Sequence, residues 1–159
     1  MPDMLVPLYK LPSSQSHLDR LKEQGIVVRR ANPWEITAVR KFIAETFSVG
    51  WADEASIGFA RTPITTLVAV RGGAIVGFGS YECTRKAFFG PTGVHPDARK
   101  LGLGTALLLR CMEGLADLGY AYAIIGAAGP VDFYQKVCGA IAIPDSSPGM
   151  YTDLLTYRP

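Results

Sequence analysis

Apolar and polar positions change period several times along the chain. Behind Asn32-Pro33, the residues Ile36, Val39, Ile43 and Phe47 recur at three- and four-residue spacing. That spacing predicts an amphipathic helix, with Asn32 as its N-cap and Pro33 at its first position. Ser48-Val49-Gly50 breaks it, and a second helix is expected over Asp53–Arg61, ended by Pro63. Strands are expected before and after this pair: Ile26–Arg30, then Thr66–Val70, a turn at Arg71-Gly72-Gly73, Ala74–Cys83, and Lys86–Val94. Gly90 and Gly93 in the last of these suggest a bulge or irregular pairing. From Gly102 to Leu118 the helical period returns. Leu107, Leu108, Cys111, Met112 and Leu115 share one face, Arg110, Glu113 and Asp117 another, and Gly119 follows as a C-cap. Tyr120–Ala128 is a nearly continuous apolar run and reads as a central strand covered on both faces. A short helix over Val131–Val137 and two strands, Ala140–Ile143 and Met150–Thr156, complete the pattern.

The first twenty-five residues fit this scheme least. Leu5–Leu11 is apolar but flanked by prolines, and Ser13–Ser16 caps at most a short helix, His17–Gln24, stopped by Gly25. Residues 1–25 therefore read as an N-terminal extension ahead of one domain, residues 26–159. From Ile26 the elements run β-α-α-β-β-β-α-β-α-β-β, an α+β chain without internal repeat or linker.

Composition narrows the class of function. The chain has 159 residues, of which 48% are hydrophobic, enough for one core without staples. Sixteen basic residues against fourteen acidic ones give a formal net charge of +2. That balance argues against nucleic acid or an anionic membrane as partner. Cys83, Cys111 and Cys138 are odd in number and lack metal-ligand spacing, so no metal is expected and a reducing compartment suits them. The start of the chain lacks the charged region of a secretory leader, and no apolar run approaches the ~18 residues of a membrane span. A cytoplasmic protein is the expectation.

Candidate chemistry gathers in Val94-His95-Pro96-Asp97-Ala98-Arg99-Lys100-Leu101-Gly102-Leu103-Gly104-Thr105, which joins a strand to the most regular helix. A helix start offers unpaired N–H groups and partial positive charge to an anion. Gly102 and Gly104 remove Cβ atoms that would hold a phosphate away, and Arg99 and Lys100 add fixed charge. Hydrogen bonds to a charged group contribute roughly 1.5–3 kcal/mol each, so four or five donors suit a pyrophosphate. The glycines alone leave open a tight loop that binds nothing. A Walker loop is excluded by the missing Gly-Lys-Ser/Thr end. A dinucleotide fingerprint is excluded by Leu107 at its third small position and by Ile125-Gly126-Ala127 where an acid is needed.

These residues resemble the GNAT superfamily of acyl-CoA-dependent N-acyltransferases. Its signature Gln/Arg-x-x-Gly-x-Gly/Ala is matched by Arg99, Gly102 and Gly104, between the strand ending in Val94-His95-Pro96 and the amphipathic helix. Phe133-Tyr134-Gln135-Lys136 resembles the family's second motif, a short helix carrying a tyrosine near the thioester sulfur. The likeness covers everything after residue 25. It departs where the family often has asparagine, at Ala127, and where Cys138 delays the glycine after the tyrosine helix by one residue, to Gly139. The string Phe89-Gly90-Pro91-Thr92-Gly93-Val94, with Phe133-Tyr134 and Pro148-Gly149-Met150-Tyr151, looks like a bacterial branch. The resemblance implies a mixed, mainly antiparallel central sheet flanked by helices. It implies acetyl-CoA as co-substrate, held by Gly93, Val94, Arg99, Lys100, Leu101, Gly102, Leu103, Gly104 and Thr105, with a homodimer compatible.

The implied reaction is direct attack of an amine on the acetyl thioester. The Val94 N–H is the implied oxyanion donor and Tyr134 the implied general acid. Tyr134 also fits as a core aromatic, the alternative left open. No acid lies on Lys86–Val94, so Glu82, on the neighbouring strand, is the candidate base, directly or through water, against a solvated strand-end charge. His95 is expected to point outward from its loop. Trp51, Asp53 and Glu54 border the implied acceptor pocket and Tyr151 its other wall, although charge compensation at a helix N-terminus accounts for Asp53 and Glu54 somewhat better. Scattered acids with an aromatic wall favour the primary amine of a small molecule. A non-catalytic acyl-CoA sensor and a protein-amine acetyltransferase are the alternatives.

Overall fold

The computed structural model describes residues 1–158. In chain order its elements are β1 (Met4–Pro7), α1 (Gln15–Glu23), β2 (Ile26–Arg30), α2 (Ile36–Thr46), α3 (Val49–Ser56), β3 (Thr66–Arg71), β4 (Ala74–Tyr81), β5 (Phe88–Val94), α4 (Leu103–Asp117), β6 (Tyr122–Ile125), α5 (Val131–Cys138) and β7 (Ile141–Ala142). The strands form one sheet in the order β2-β3-β4-β5-β6-β1-β7. Every neighbouring pair is antiparallel except β5 and β6, which run parallel. The chain thus adopts the expected α+β class, a mainly antiparallel sheet flanked by helices. No helix among the described residues is long and apolar enough to cross a membrane.

Local chemistry explains most element starts. Asn32 and Glu35 form a reciprocal capping box ahead of α2, and Arg29 pairs with Glu35 at 2.6 Å. Ser48, expected to be part of a break, is instead a cap: its hydroxyl accepts the Trp51 N–H at 3.1 Å. The second helix therefore begins at Val49, earlier than expected, and continues after Ser56 only as a 3-10 turn, Ile57–Ala60.

The helices cover the sheet on two faces. On one, α4 buries Leu103, Leu107, Leu108, Cys111, Met112 and Leu115 against the strands; each buried leucine contributes about 1.5–3 kcal/mol. On the other, Val39 and Ile43 of α2 and Ala52 and Ala55 of α3 pack on Val68 and Phe78. The expectation that β6 is covered on both faces does not hold. Ala123 and Ile125 are buried, but Tyr122 is 47% exposed.

The two ends of the chain also depart from expectation. Residues set apart as an extension form β1, an interior strand between β6 and β7 with Met4 and Val6 fully buried. Alternating burial of Met4 and Val6 is the period-two signature of a strand, and Pro7 marks its end. No strand forms over Met150–Thr156, where Leu155 is fully exposed. The position beside β6 is already filled by β1.

Candidate active site

The site originates where β5 and β6 part. Their register is Phe88↔Ile124 and Phe89↔Ile125, and the Ile124 N–H donates to the Ala87 carbonyl at 2.9 Å. Continuing that parallel ladder would require residue 91 to donate to the Gly126 carbonyl. Residue 91 is proline and has no N–H, so the pairing stops. Beyond it no ladder pair joins Pro91–Val94 to Gly126–Ala128, and the gap this leaves between the two strand ends is the crevice. On the β5 side, the His95 N–H is engaged by the Val76 carbonyl at 2.9 Å. Alternate residues of a strand direct their N–H groups to opposite sides, so the Val94 N–H faces the crevice. Gly93 is required on this wall, because a Cβ there would enter the Phe47 ring.

The start of α4 stands at the β5 end. Lys100 has φ 69° and Gly102, the N-cap, has φ 88°. Open space surrounds the position of a Gly102 Cβ, so its left-handed backbone is what calls for glycine. Having no side chain, Gly102 caps nothing, and the first-turn N–H groups of Leu103, Gly104 and Thr105 keep no intrahelical partner. Arg99 and Lys100 are exposed and form no ion pair among the described residues. Leu103 is buried and Leu101 half-buried, so these two offer backbone only. The α5 residue Phe133 closes over this turn, 3.8 Å from where a Gly104 Cβ would stand.

Tyr134 lies on the face that carries α4, edge-on to Phe89 at 6.3 Å between ring centroids. It is buried, its hydroxyl bonds to no other described residue, and burial pushes its pKa up to about 12. It is therefore protonated throughout the physiological range.

On the opposite face the walls are aromatic. Trp51 stacks on Phe47 at 5.6 Å, Phe47 meets Phe78 at 5.6 Å, and Phe42 spans from Phe47 to the His95 ring, 6.3 Å away. The acids expected here separate. Asp53 turns to Arg40 at 2.8 Å on the exposed α2–α3 contact, whereas Glu54 accepts from the Thr84 hydroxyl and, at 3.4 Å, from the Tyr151 hydroxyl. Burial, then the Glu54 charge, raise the Tyr151 pKa. Tyr151 also borders Gly126, with a ring carbon 3.7 Å from the position of a Cβ there. Two residues 97 positions apart in sequence thus meet at the base of the crevice.

Glu82 is placed differently from its expected role as base. Its carboxylate accepts the Ala87 N–H at 2.6 Å and the Lys86 ammonium at 3.1 Å, inside the β4–β5 connection. Burial raises its pKa, but those donors, with a hydrogen bond from the Tyr120 side chain, outweigh burial and hold it below the usual carboxylate value. Both oxygens accept hydrogen bonds that tie the carboxylate into the turn.

The far wall is held by the N-terminal strand. The Asp3 carboxylate accepts the Ala127 N–H at 2.8 Å, and the Pro2 carbonyl accepts that of Ala128 at 2.8 Å. Ala127 has φ 46°, a left-handed conformation that costs an alanine about 1–2 kcal/mol. A hydrogen bond to a charged group, about 1.5–3 kcal/mol, offsets it. Sequence reasoning did not reach Asp3, Thr84 or Phe47 as site residues. Only the unexplained apolar run beside Asp3 signalled that the N-terminus is structured.

The profile of the acetyltransferase (GNAT) family matches residues 31–140, well over half of the chain. The chain belongs to that family. Among solved structures it is similar to a GCN5-related glucosamine N-acetyltransferase region of a fungal multi-domain β-N-acetylglucosaminidase (TM-score 0.72, 16% identity, 89% of this chain and 19% of that one). It is also similar to a GCN5-related N-acetyltransferase from Sphaerobacter thermophilus (TM-score 0.63, 21% identity, 89% and 48%). An aminoglycoside acetyltransferase from an uncultured soil metagenomic sample, in complex with trehalose, matches at TM-score 0.54 and 14% identity, covering 72% and 88%. The chain therefore spans about a fifth of the first protein and about half of the second. No curated protein matches the sequence.

Proposed function

We propose that this chain transfers an acetyl group from acetyl-CoA to the primary amine of a small molecule by direct attack. The observation that carries the reading is the crevice created at Pro91, with an uncapped, cation-flanked helix start at one side and the free Val94 N–H within. The N–H groups of Leu103, Gly104 and Thr105, with Arg99 and Lys100, suit a pyrophosphate. The crevice suits an extended arm ending in a thioester. Attack by the amine lone pair forms the C–N bond, and the Val94 N–H is offered to the developing oxyanion. The adduct nitrogen loses a proton to solvent, the C–S bond breaks, and the thiolate takes up one proton from solvent, giving an amide and free thiol.

Alkylammonium groups have pKa values near ~10, so the amine must lose a proton to react. Glu54 supports that role better than Glu82, because it opens toward Tyr151 and Gly126 and is not closed into a turn. Its charge also attracts the incoming cation, and Phe47 and Trp51 provide apolar walls. Tyr134 serves as hydrogen-bond donor to the sulfur. Outright transfer from a phenol at about 12 to the thiolate of a thiol near ~8.5 runs uphill by roughly 5 kcal/mol. The donor role therefore predicts a partial loss in Tyr134→Phe.

Release of free thiol from acetyl-CoA across a panel of small amines, peptides and no acceptor tests the reading. We expect turnover with small primary amines and a kcat lowered about tenfold in Tyr134→Phe, with unchanged acetyl-CoA affinity. Tight binding of acetyl-CoA without turnover on any amine would make the chain a sensor, and preference for peptides would overturn the acceptor class.

A further inference from the structure

We propose that Asp3 is a positioning residue that aims the Gly126 carbonyl into the crevice, where it accepts an amide N–H of the acyl-CoA arm. The inference rests on the acetyl-CoA reading and adds to it a residue from the opposite end of the fold.

The Gly126 carbonyl and the Ala127 N–H belong to one peptide unit. In a trans peptide these groups point in opposite directions. The Asp3 carboxylate engages the Ala127 N–H at 2.8 Å on the β1 side. The Gly126 carbonyl is thereby turned to the other side, toward β5. There Pro91 has no N–H to offer it. The result is a main-chain acceptor facing the crevice with its sheet partner deleted by sequence.

The alternative orientation is accessible. Turning this peptide over would carry Ala127 from φ 46° to the extended region that alanine prefers, and Gly126 on its other side resists little. The Asp3 bond opposes that relaxation. Asp3 is itself held in place: its N–H donates to the Ser146 hydroxyl at 2.9 Å, and its carbonyl accepts the Ile143 N–H at 2.8 Å. The carboxylate is thus anchored by its own strand and its neighbours, so it can hold the wall peptide.

The acyl-CoA arm contains amides, whereas the nucleotide half of CoA does not extend into a strand-lined crevice. Calorimetry on Asp3→Ala should show acetyl-CoA affinity lowered about tenfold, with affinity for phosphoadenosine diphosphate, the nucleotide half alone, unchanged. Asp3→Asn retains an accepting oxygen and should lose about threefold or less. Ser146→Ala removes one of the bonds that anchor Asp3 and should lower acetyl-CoA affinity by less than Asp3→Ala does, with the nucleotide half unaffected. In the unmodified protein, an isotope-labelled Gly126 carbonyl should shift on addition of acetyl-CoA and not of the nucleotide half. That measurement decides the matter if Asp3→Ala does not fold. Acetyl-CoA binding by the unmodified protein, together with an unmoved Gly126 carbonyl or an unaffected Asp3→Ala, would overturn this role alone. Failure of the unmodified protein to bind acetyl-CoA would overturn the functional reading with it.

Discussion

The two walls of the crevice are built in opposite ways. The β5 wall and the α4 start come from one continuous segment, Gly93–Thr105, whose backbone carries the proposed donor site and whose glycines stand where backbone must be exposed or left-handed. The β6 wall is assembled from distant pieces: Asp3 behind Ala127, and Glu54 of α3 against Tyr151. One wall is a local motif that folds with its helix. The other exists only once the sheet has closed, with β1 in place. On the reading proposed above, the donor's constant part engages the first wall and the Asp3–Gly126 piece of the second, and a variable acceptor falls to the Glu54–Tyr151 piece.

The assembled side should give the larger kinetic effect. Glu54→Gln keeps the shape and removes the charge and the proton acceptor. We expect kcat/KM for a small amine to fall about a hundredfold, the range of general acid–base contributions, with acetyl-CoA affinity unchanged. Stopped initial-rate kinetics beside calorimetry would separate the two. An unchanged kcat/KM would return the proton-acceptor role to solvent.

On the continuous side, Gly102→Val places a β-branched residue at φ 88° and displaces the first-turn N–H groups. No atom lies close enough for the side chain to clash, so the effect enters through the backbone. Acetyl-CoA affinity should fall at least tenfold, or ~1.4 kcal/mol, in a variant whose circular dichroism is unaltered. Unchanged affinity would dissociate the helix start from the donor.

That contrast also sets what could be read from the sequence. Helix α4, its uncapped start and the β3–β4–β5 meander follow from periodicity, turn residues and glycine spacing, all local signals. So does the irregular pairing expected at Gly90 and Gly93, although Pro91 as the end of a parallel ladder needs the register with β6. Residues near Asp3 were unreadable because a four-residue strand has too few alternations to outweigh two nearby prolines. The Met150–Thr156 segment has strand-forming residues, but the place beside β6 is held by β1, and propensity does not reveal competition for a place in a sheet. Among the carboxylates, Asp53 and Glu54 are adjacent in sequence yet reach Arg40 and Tyr151, respectively. On a helix, one residue step rotates the side chain by about 100°, enough to separate an exposed ion pair from the crevice.

Glu82 supplies the smallest expected kinetic effect and sharpens the assignment of roles. Its carboxylate is taken up by the Ala87 N–H, Lys86 and the Tyr120 side chain, so Glu82→Gln should leave kcat within about twofold while lowering stability by about 1 kcal/mol. The glutamine oxygen can still accept the Ala87 N–H; what disappears is charge assistance and the pairing with Lys86, whose side chain is exposed and well screened. The folded carboxyl has a lowered pKa. Its stabilisation is therefore complete above the unfolded pKa near ~4.3 and is lost as pH falls through the lower folded value. Thermal denaturation of the wild type and Glu82→Gln should show a constant gap from about pH 6 upward, closing below about pH 4. A hundredfold loss of kcat in Glu82→Gln, with Glu54→Gln unaffected, would reverse the assignment: a carboxylate ordered by its own turn would then be the one that accepts the proton.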